Sequence, residues 1–124
     1  MPRFATATVT ELSRVGLFQE LPGELLTKLA QKMRRSDVAP GNPIVLEGEE
    51  GDDFYVILRG LVAVSNQGGL GPRRLLRPGD YFGEVALAME IPRTASVRAL
   101  TPATVASCDR ATFDEFIRPL FTDG

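Results

Sequence analysis

The sequence has no histidine and no tryptophan, a single cysteine, and only 7% aromatic residues. Without histidine, the commonest general base, the usual partner of a catalytic triad and the commonest metal ligand are all missing. One cysteine, Cys108, cannot close an internal disulfide, which fits a cytoplasmic protein. It sits in an apolar run and reads as packing rather than chemistry. No run of about 18 apolar residues is present, so no membrane-spanning helix is expected. The N-terminal residues Met1 to Thr6 lack the apolar core of a signal peptide. A net charge of −2 gives no field that would draw in nucleic acid or an anionic membrane. At 124 residues the chain is long enough for one core and too short for two, so one domain over 1–124 is expected.

What is present divides into a helical start, a β-rich middle and a helical end. Residues 8–35 read as helical. Val9, Leu12 and Val15 mark a short amphipathic helix with Thr10 as its N-cap. Pro22 suits the start of a second helix, in which Leu25, Leu26, Leu29, Ala30 and Met33 recur at helical spacing and read as core. Arg34 and Arg35 close that helix, where positive charge suits its dipole. Over 36–108, turn clusters interrupt short β-rich runs every 8 to 12 residues or so. The breakers include Pro40–Pro43, Gly48–Asp53, Arg59-Gly60, Gln67–Pro72 and Arg77–Asp80. About eight short antiparallel strands flanked by helices predict a mainly β fold, a jelly-roll β-sandwich or double-stranded β-helix. Asp109 caps a last helix over 109–118, through Phe113, Phe116 and Ile117, which Pro119 ends. The acidic turn from Glu47 to Asp53 lacks the ligand spacing of an EF-hand loop and reads as solvated hairpin.

One stretch carries most of the chemistry. From Phe82 to Val97 a Gly-containing turn leads into a short apolar helical segment, which Pro92 stops before Arg93 and Thr94 lead into a strand. Gly83 lets the backbone approach a ligand closely, and the turn after it exposes N–H groups that favour an anion. Glu84 and Arg93 stand at the two ends of this compact loop, one acid and one base. Acid–base catalysis by Glu84 would lack a partner, because a guanidinium does not give up its proton in proteins.

The order of these motifs resembles the cyclic nucleotide-binding domain family over roughly residues 17–118. Glu47–Gly60 is similar to its pattern G-x-x-G-D-x-F-Y-x-I-x-x-G, and residues 82–97 to its phosphate-binding cassette, F-G-E-x-A-L followed by P-R-x-A-x-V. The resemblance implies a regulatory, non-catalytic domain whose ligand is cAMP, or cGMP as the alternative. Arg93 would pair with the equatorial phosphate oxygens and Glu84 would accept from the ribose 2′-hydroxyl. Amides around Gly83, Ala86, Thr94 and Ala95 would complete the cradle, and Val62, Val64, Val85, Leu87 and Val97 would form the apolar wall. Physical chemistry supports the two clamps: a guanidinium offers two parallel donors to phosphate, while an ionised carboxylate is acceptor-only and selects a hydroxyl. Thr94 stands where many cAMP-binding members carry alanine, and where cGMP-selective members often use a threonine hydroxyl on the guanine amino group.

The resemblance also implies an attached output domain or partner protein, and it leaves a homodimer open. It implies a further long helix closing over the base. After Ile117 only Arg118 to Gly124 follow, which leaves that cap to Phe121, to a neighbouring subunit or to the rest of a longer protein. No helix-turn-helix is expected among these residues, so they do not support a reading as a DNA-binding activator or repressor. Two other readings compete: a metal enzyme on the related cupin scaffold, which the lack of histidine opposes, and a degenerate interaction or dimerisation domain in which Glu84 and Arg93 pair with each other.

Overall fold

The computed structural model describes residues 5–65 and 74–122. The Gly-rich tip expected at Gln67–Pro72 lies outside them. Helix α1 (Val9–Ser13) and a 3₁₀ turn (Gly16–Glu20) precede helix α2 (Gly23–Lys32). Eight strands follow among the described residues: β1 (Arg34–Val38), β2 (Pro43–Val45), β3 (Phe54–Arg59), β4 (Val62–Ser65), β5 (Arg74–Leu76), β6 (Tyr81–Phe82), β7 (Ser96–Ala99) and β8 (Ala103–Cys108). Helix α3 (Glu84–Met89) lies between β6 and β7. The chain ends in α4 (Arg110–Thr112), a π-helical turn (Phe113–Ile117) and α5 (Arg118–Thr122).

The strands form two antiparallel sheets, ordered β1-β8-β3-β6 and β2-β7-β4-β5. This is the predicted jelly-roll sandwich. Side-chain alternation on the two central strands of the first sheet explains why it can be covered on both faces. On β3, Phe54 and Val56 join the cluster beneath the helices, with Leu12, Phe18, Leu29, Phe113 and Ile117. Ile57, one residue on, joins the inter-sheet cluster with Val62, Leu76, Val97 and Val105. On β8, Ala106 and Cys108 face the helices while Ala103 and Val105 face the second sheet. Burial pushes the Cys108 thiol up to about 12, which makes it a small apolar filler rather than a nucleophile.

Three local expectations are corrected. The cap of α1 is Thr8, not Thr10: its hydroxyl accepts from the Glu11 amide, and the Glu11 carboxylate accepts from the Thr8 amide. Arg34 and Arg35 do not close α2. The backbone turns extended at Met33 (φ −102°, ψ 120°), and both arginines begin β1, the outer strand of its sheet, paired with β8 and touched on its other side by an isolated bridge between Thr6 and Arg34. An edge strand tolerates charge because one side of it faces solvent, and Arg35 spends its charge on Glu11 at 3.2 Å. Finally, Pro119 does not end the last helix, which runs on to Thr122. The Arg118 amide bonds five residues back to the Phe113 carbonyl, a π-type turn. Widening the helix there moves the carbonyl that a proline ring would otherwise strike. The Asp109 cap stands as expected, its carboxylate accepting from the Thr112 amide at 2.9 Å.

Candidate functional site

The loop from Phe82 to Val97 turns out of β6 through Gly83, which has φ +100°. A Cβ here would sit 2.9 Å from both the Asp53 carbonyl oxygen and an Arg93 guanidinium nitrogen, so glycine is required sterically as well as conformationally. Helix α3 follows at once and buries Ala86 and Leu87. It ends at Glu90, which takes the left-handed conformation (φ 54°) despite its side chain. The stop therefore comes two residues ahead of Pro92, the spacing at which proline follows a helix end.

Arg93 is the centre of the site. It is only 6% exposed. One guanidinium nitrogen donates to the Asp53 carbonyl at 2.7 Å and the other makes a longer 3.5 Å contact with the Gly83 carbonyl. Its backbone is pinned to the acidic hairpin, with Arg93 N donating to Glu49 O at 2.8 Å and Gly48 N donating to Arg93 O at 2.9 Å. Gly51 lies against the side chain: a Cβ there would fall 1.9 Å from Nε. Among the described residues no carboxylate pairs with Arg93, the ion pairs being Arg35–Glu11, Arg110–Asp52 and Arg118–Asp114. The nearby Asp53 carboxyl is pushed up by burial, against the opposing pull of Arg93. A buried cation held by neutral carbonyls keeps its charge for an anion in the cleft. The pairing of Glu84 with Arg93 that a degenerate domain would require is not made.

Arg93 and Glu84 line one cleft of about 330 Å³, within the range of small-molecule sites. Of the residues expected from the sequence, Val64, Gly83, Glu84, Val85, Ala86, Arg93, Thr94, Ala95 and Val97 line it. Val62 and Leu87 do not. Val62 is fully buried between the sheets, and Leu87 faces the helices, among Phe113, Phe116 and Ile117. Phe121 does not line the cleft either; it packs on Tyr81 and Phe113, at ring distances of 5.6 and 6.3 Å.

The structure adds Val45, Ser65, Arg74 and Phe82 to the lining. Their presence follows from sheet register. Val45 pairs with Val97, Val97 with Val64, and Val64 with Arg74. The apolar wall is thus a single row across β2, β7, β4 and β5, three valines ending in an arginine. Nothing in the order of residues along the chain states that pairing. The site therefore offers a fixed cation, a carboxylate that makes no ion pair among the described residues, backbone amides at the start of α3, an apolar row and two hydroxyls. It suits an anion joined to a hydroxyl-bearing, partly apolar body.

On the far side of α3, the Leu87 carbonyl accepts from Arg110 at 3.0 Å and from Arg118 at 3.5 Å. Arg110 also pairs with Asp52 at 3.1 Å. The loop, the acidic hairpin and the C-terminal helix are thereby joined.

Residues 35–119 match the model of the cyclic nucleotide-binding domain family. The chain is 37% identical over 109 residues to a cAMP-dependent protein kinase regulatory subunit of Yarrowia lipolytica, covering 88% of this chain and 29% of that protein. It is 40% identical over 114 residues to the cGMP-dependent protein kinase egl-4 of Caenorhabditis elegans, covering 88% of this chain and 15% of the kinase. The fold is similar to the regulatory domain of Toxoplasma gondii PKA solved with cAMP, with a TM-score of 0.82 and 31% identity over 91% of this chain and 45% of that one. The chain thus spans less than a third of either of these two relatives.

Proposed function

Because this chain belongs to the cyclic nucleotide-binding domain family, we propose that residues 1–124 act as one regulatory domain that captures a cyclic nucleotide, cAMP in the first reading, in the cleft between α3 and the second sheet. The observation that carries this is Arg93, a buried guanidinium in the cleft wall whose partners are carbonyls rather than carboxylates. The cyclic phosphate takes the remaining donors of Arg93 and the leading amides of α3, and the ribose 2′-hydroxyl donates to Glu84. The valine row of Val45, Val97 and Val64 covers the sugar and base. Such a domain performs no reaction. Its output is mechanical: movement of α3 on binding is passed through the Leu87 carbonyl, Arg110 and Arg118 to the C-terminal helix and an attached or partner protein. A ligand shifts such an equilibrium only by its different affinity for the two states. A cytoplasmic location accompanies this role. Among the described residues no helix is long and apolar enough to cross a membrane.

A second reading, cGMP, has its own observation. Arg74 ends the valine row and Thr94 lines the same cleft. An arginine fork matches the O6 and N7 acceptors of guanine, whereas adenine presents a donor at N6, and the Thr94 hydroxyl can accept from the guanine 2-amino group. Titrating each nucleotide into the purified chain, with thermal shift as readout, decides between them. At 100 times its dissociation constant a ligand adds about 2.7 kcal/mol of stability. The first reading expects that shift at lower concentration with cAMP. A stronger response to cGMP, lost in Thr94→Ala and Arg74→Ala, establishes the second. No shift with either at millimolar concentration rejects both.

A further inference from the structure

We propose that Tyr55 is a positioning residue, the platform that sets the plane of the Arg93 guanidinium for phosphate capture; this rests on the functional reading above. The Arg93 Cζ lies over the Tyr55 ring, 5.7 Å from its centroid, within the range of a cation–π contact. The Tyr55 ring is in turn stacked on Phe82, with centroids 4.8 Å apart and planes 5° from parallel. Tyr55 and Phe82 are direct register partners across β3 and β6. Guanidinium, tyrosine ring and phenylalanine ring therefore form one column, and its last member lines the cleft.

The residues that flank the same two strands supply the carbonyls that hold Arg93. Asp53 is two residues before Tyr55, and Gly83 directly follows Phe82. The contacts are complementary. Each carbonyl occupies an in-plane donor, whereas the ring face occupies none. The ring fixes the orientation of the guanidinium plane while leaving in-plane N–H groups for the phosphate. A carboxylate in that place would orient Arg93 too, but would consume those donors and neutralise its charge. The Tyr55 hydroxyl makes no hydrogen bond among the described residues, so the ring alone is what the role requires.

The test uses the full 124-residue chain and calorimetric titration with cAMP and cGMP. Tyr55→Phe is expected to bind within about threefold of the wild type, and Tyr55→Leu about tenfold more weakly, as loss of a partly desolvated cation–π contact implies. Phenylalanine carrying one, two or three ring fluorines at position 55 keeps the shape and drains the π face. Affinity is expected to fall stepwise along that series with the thermal midpoint unchanged, a trend that packing alone would not produce. The series also stands if the leucine variant fails to fold. Leucine or trifluorinated variants that bind as tightly as the wild type overturn the platform and leave the functional reading intact. A wild type that binds neither nucleotide overturns the functional reading. The platform is then judged by the Arg93 Nε–H proton resonance, which ring shielding places upfield of its position in Tyr55→Leu. An unchanged resonance overturns it.

Discussion

Arg93→Ala is expected to weaken cyclic nucleotide binding by about 2–5 kcal/mol, roughly thirtyfold to several thousandfold, the range for truncating one side of a buried charge pair. The unliganded protein should lose little stability. The substitution removes hydrogen bonds to the Asp53 and Gly83 carbonyls, but it also relieves the cost of burying a cation that no carboxylate neutralises. The two carbonyls then face the cleft, where water can reach them. Arg93→Lys should recover only part of the loss, because an ammonium presents no planar fork. A companion variant separates position from charge. Gly51→Ala keeps the arginine and its charge but puts a methyl 1.9 Å from its Nε and 2.3 Å from its Cζ. The Gly51 backbone accepts alanine without strain, so the side chain of Arg93 must move. Affinity should fall well beyond tenfold with the thermal midpoint nearly unchanged. Calorimetry on the three variants checks this, and wild-type affinity in Arg93→Ala would remove Arg93 from the site.

The largest loss of stability is expected away from the cleft, at Gly60. Its φ is +86°, and a Cβ would stand 2.3 Å from the Pro102 carbonyl oxygen and 2.7 Å from the Ala103 Cα. Both obstacles are backbone and cannot swing aside. The turn is braced from the other side as well: the Leu61 amide donates to Thr101 Oγ1 at 3.0 Å and the Leu100 amide to the Leu61 carbonyl at 2.8 Å. Left-handed strain of about 1–2 kcal/mol and overpacking of about 1–3 kcal/mol together put Gly60→Ala near 3 kcal/mol. That corresponds to a fall of roughly 10 °C in thermal midpoint for a chain of this size. A midpoint within 2 °C of the wild type would contradict the steric account.

These two glycines also show what could be read from residue order. Gly51 and Gly60 stand in a spaced motif, and their neighbours Phe54, Val56 and Ile57 alternate as a strand should. Local patterns of this kind are legible because their causes are local. Thr8, with Glu11 three residues later, is equally local: the capping box is legible in the sequence, and it points to Thr8 rather than to Thr10. Strand β1 was hidden because its charged residues suit a helix end as well as a sheet edge, and β6, at two residues, is too short to show a period.

The cleft divides the same way. Glu84 and Arg93 belong to one continuous loop and could be paired from spacing. Alternation placed Val62 on the same face as Val64, correctly, but a face is not a depth. Two residues before Val64 on β4, the Val62 side chain is fully buried between the sheets, flanked by its register partners Leu76 and Ala99. Leu87 belongs to the same short helix as the cleft residues Val85 and Ala86, but it lies on the inner face of α3, toward Phe113 and Ile117. Val45 and Arg74 reach the site through pairings across three strand boundaries, which only the folded register supplies.

A crystal structure of the chain grown with cAMP tests the central claim most directly. The account predicts a phosphate oxygen within hydrogen-bond distance of the Arg93 guanidinium, about 2.7–2.9 Å for a charge-assisted pair, with the ribose 2′-hydroxyl on Glu84 and the sugar or base against the row of Val45, Val97 and Val64. A nucleotide bound elsewhere, or bound here with its phosphate away from Arg93, would contradict it.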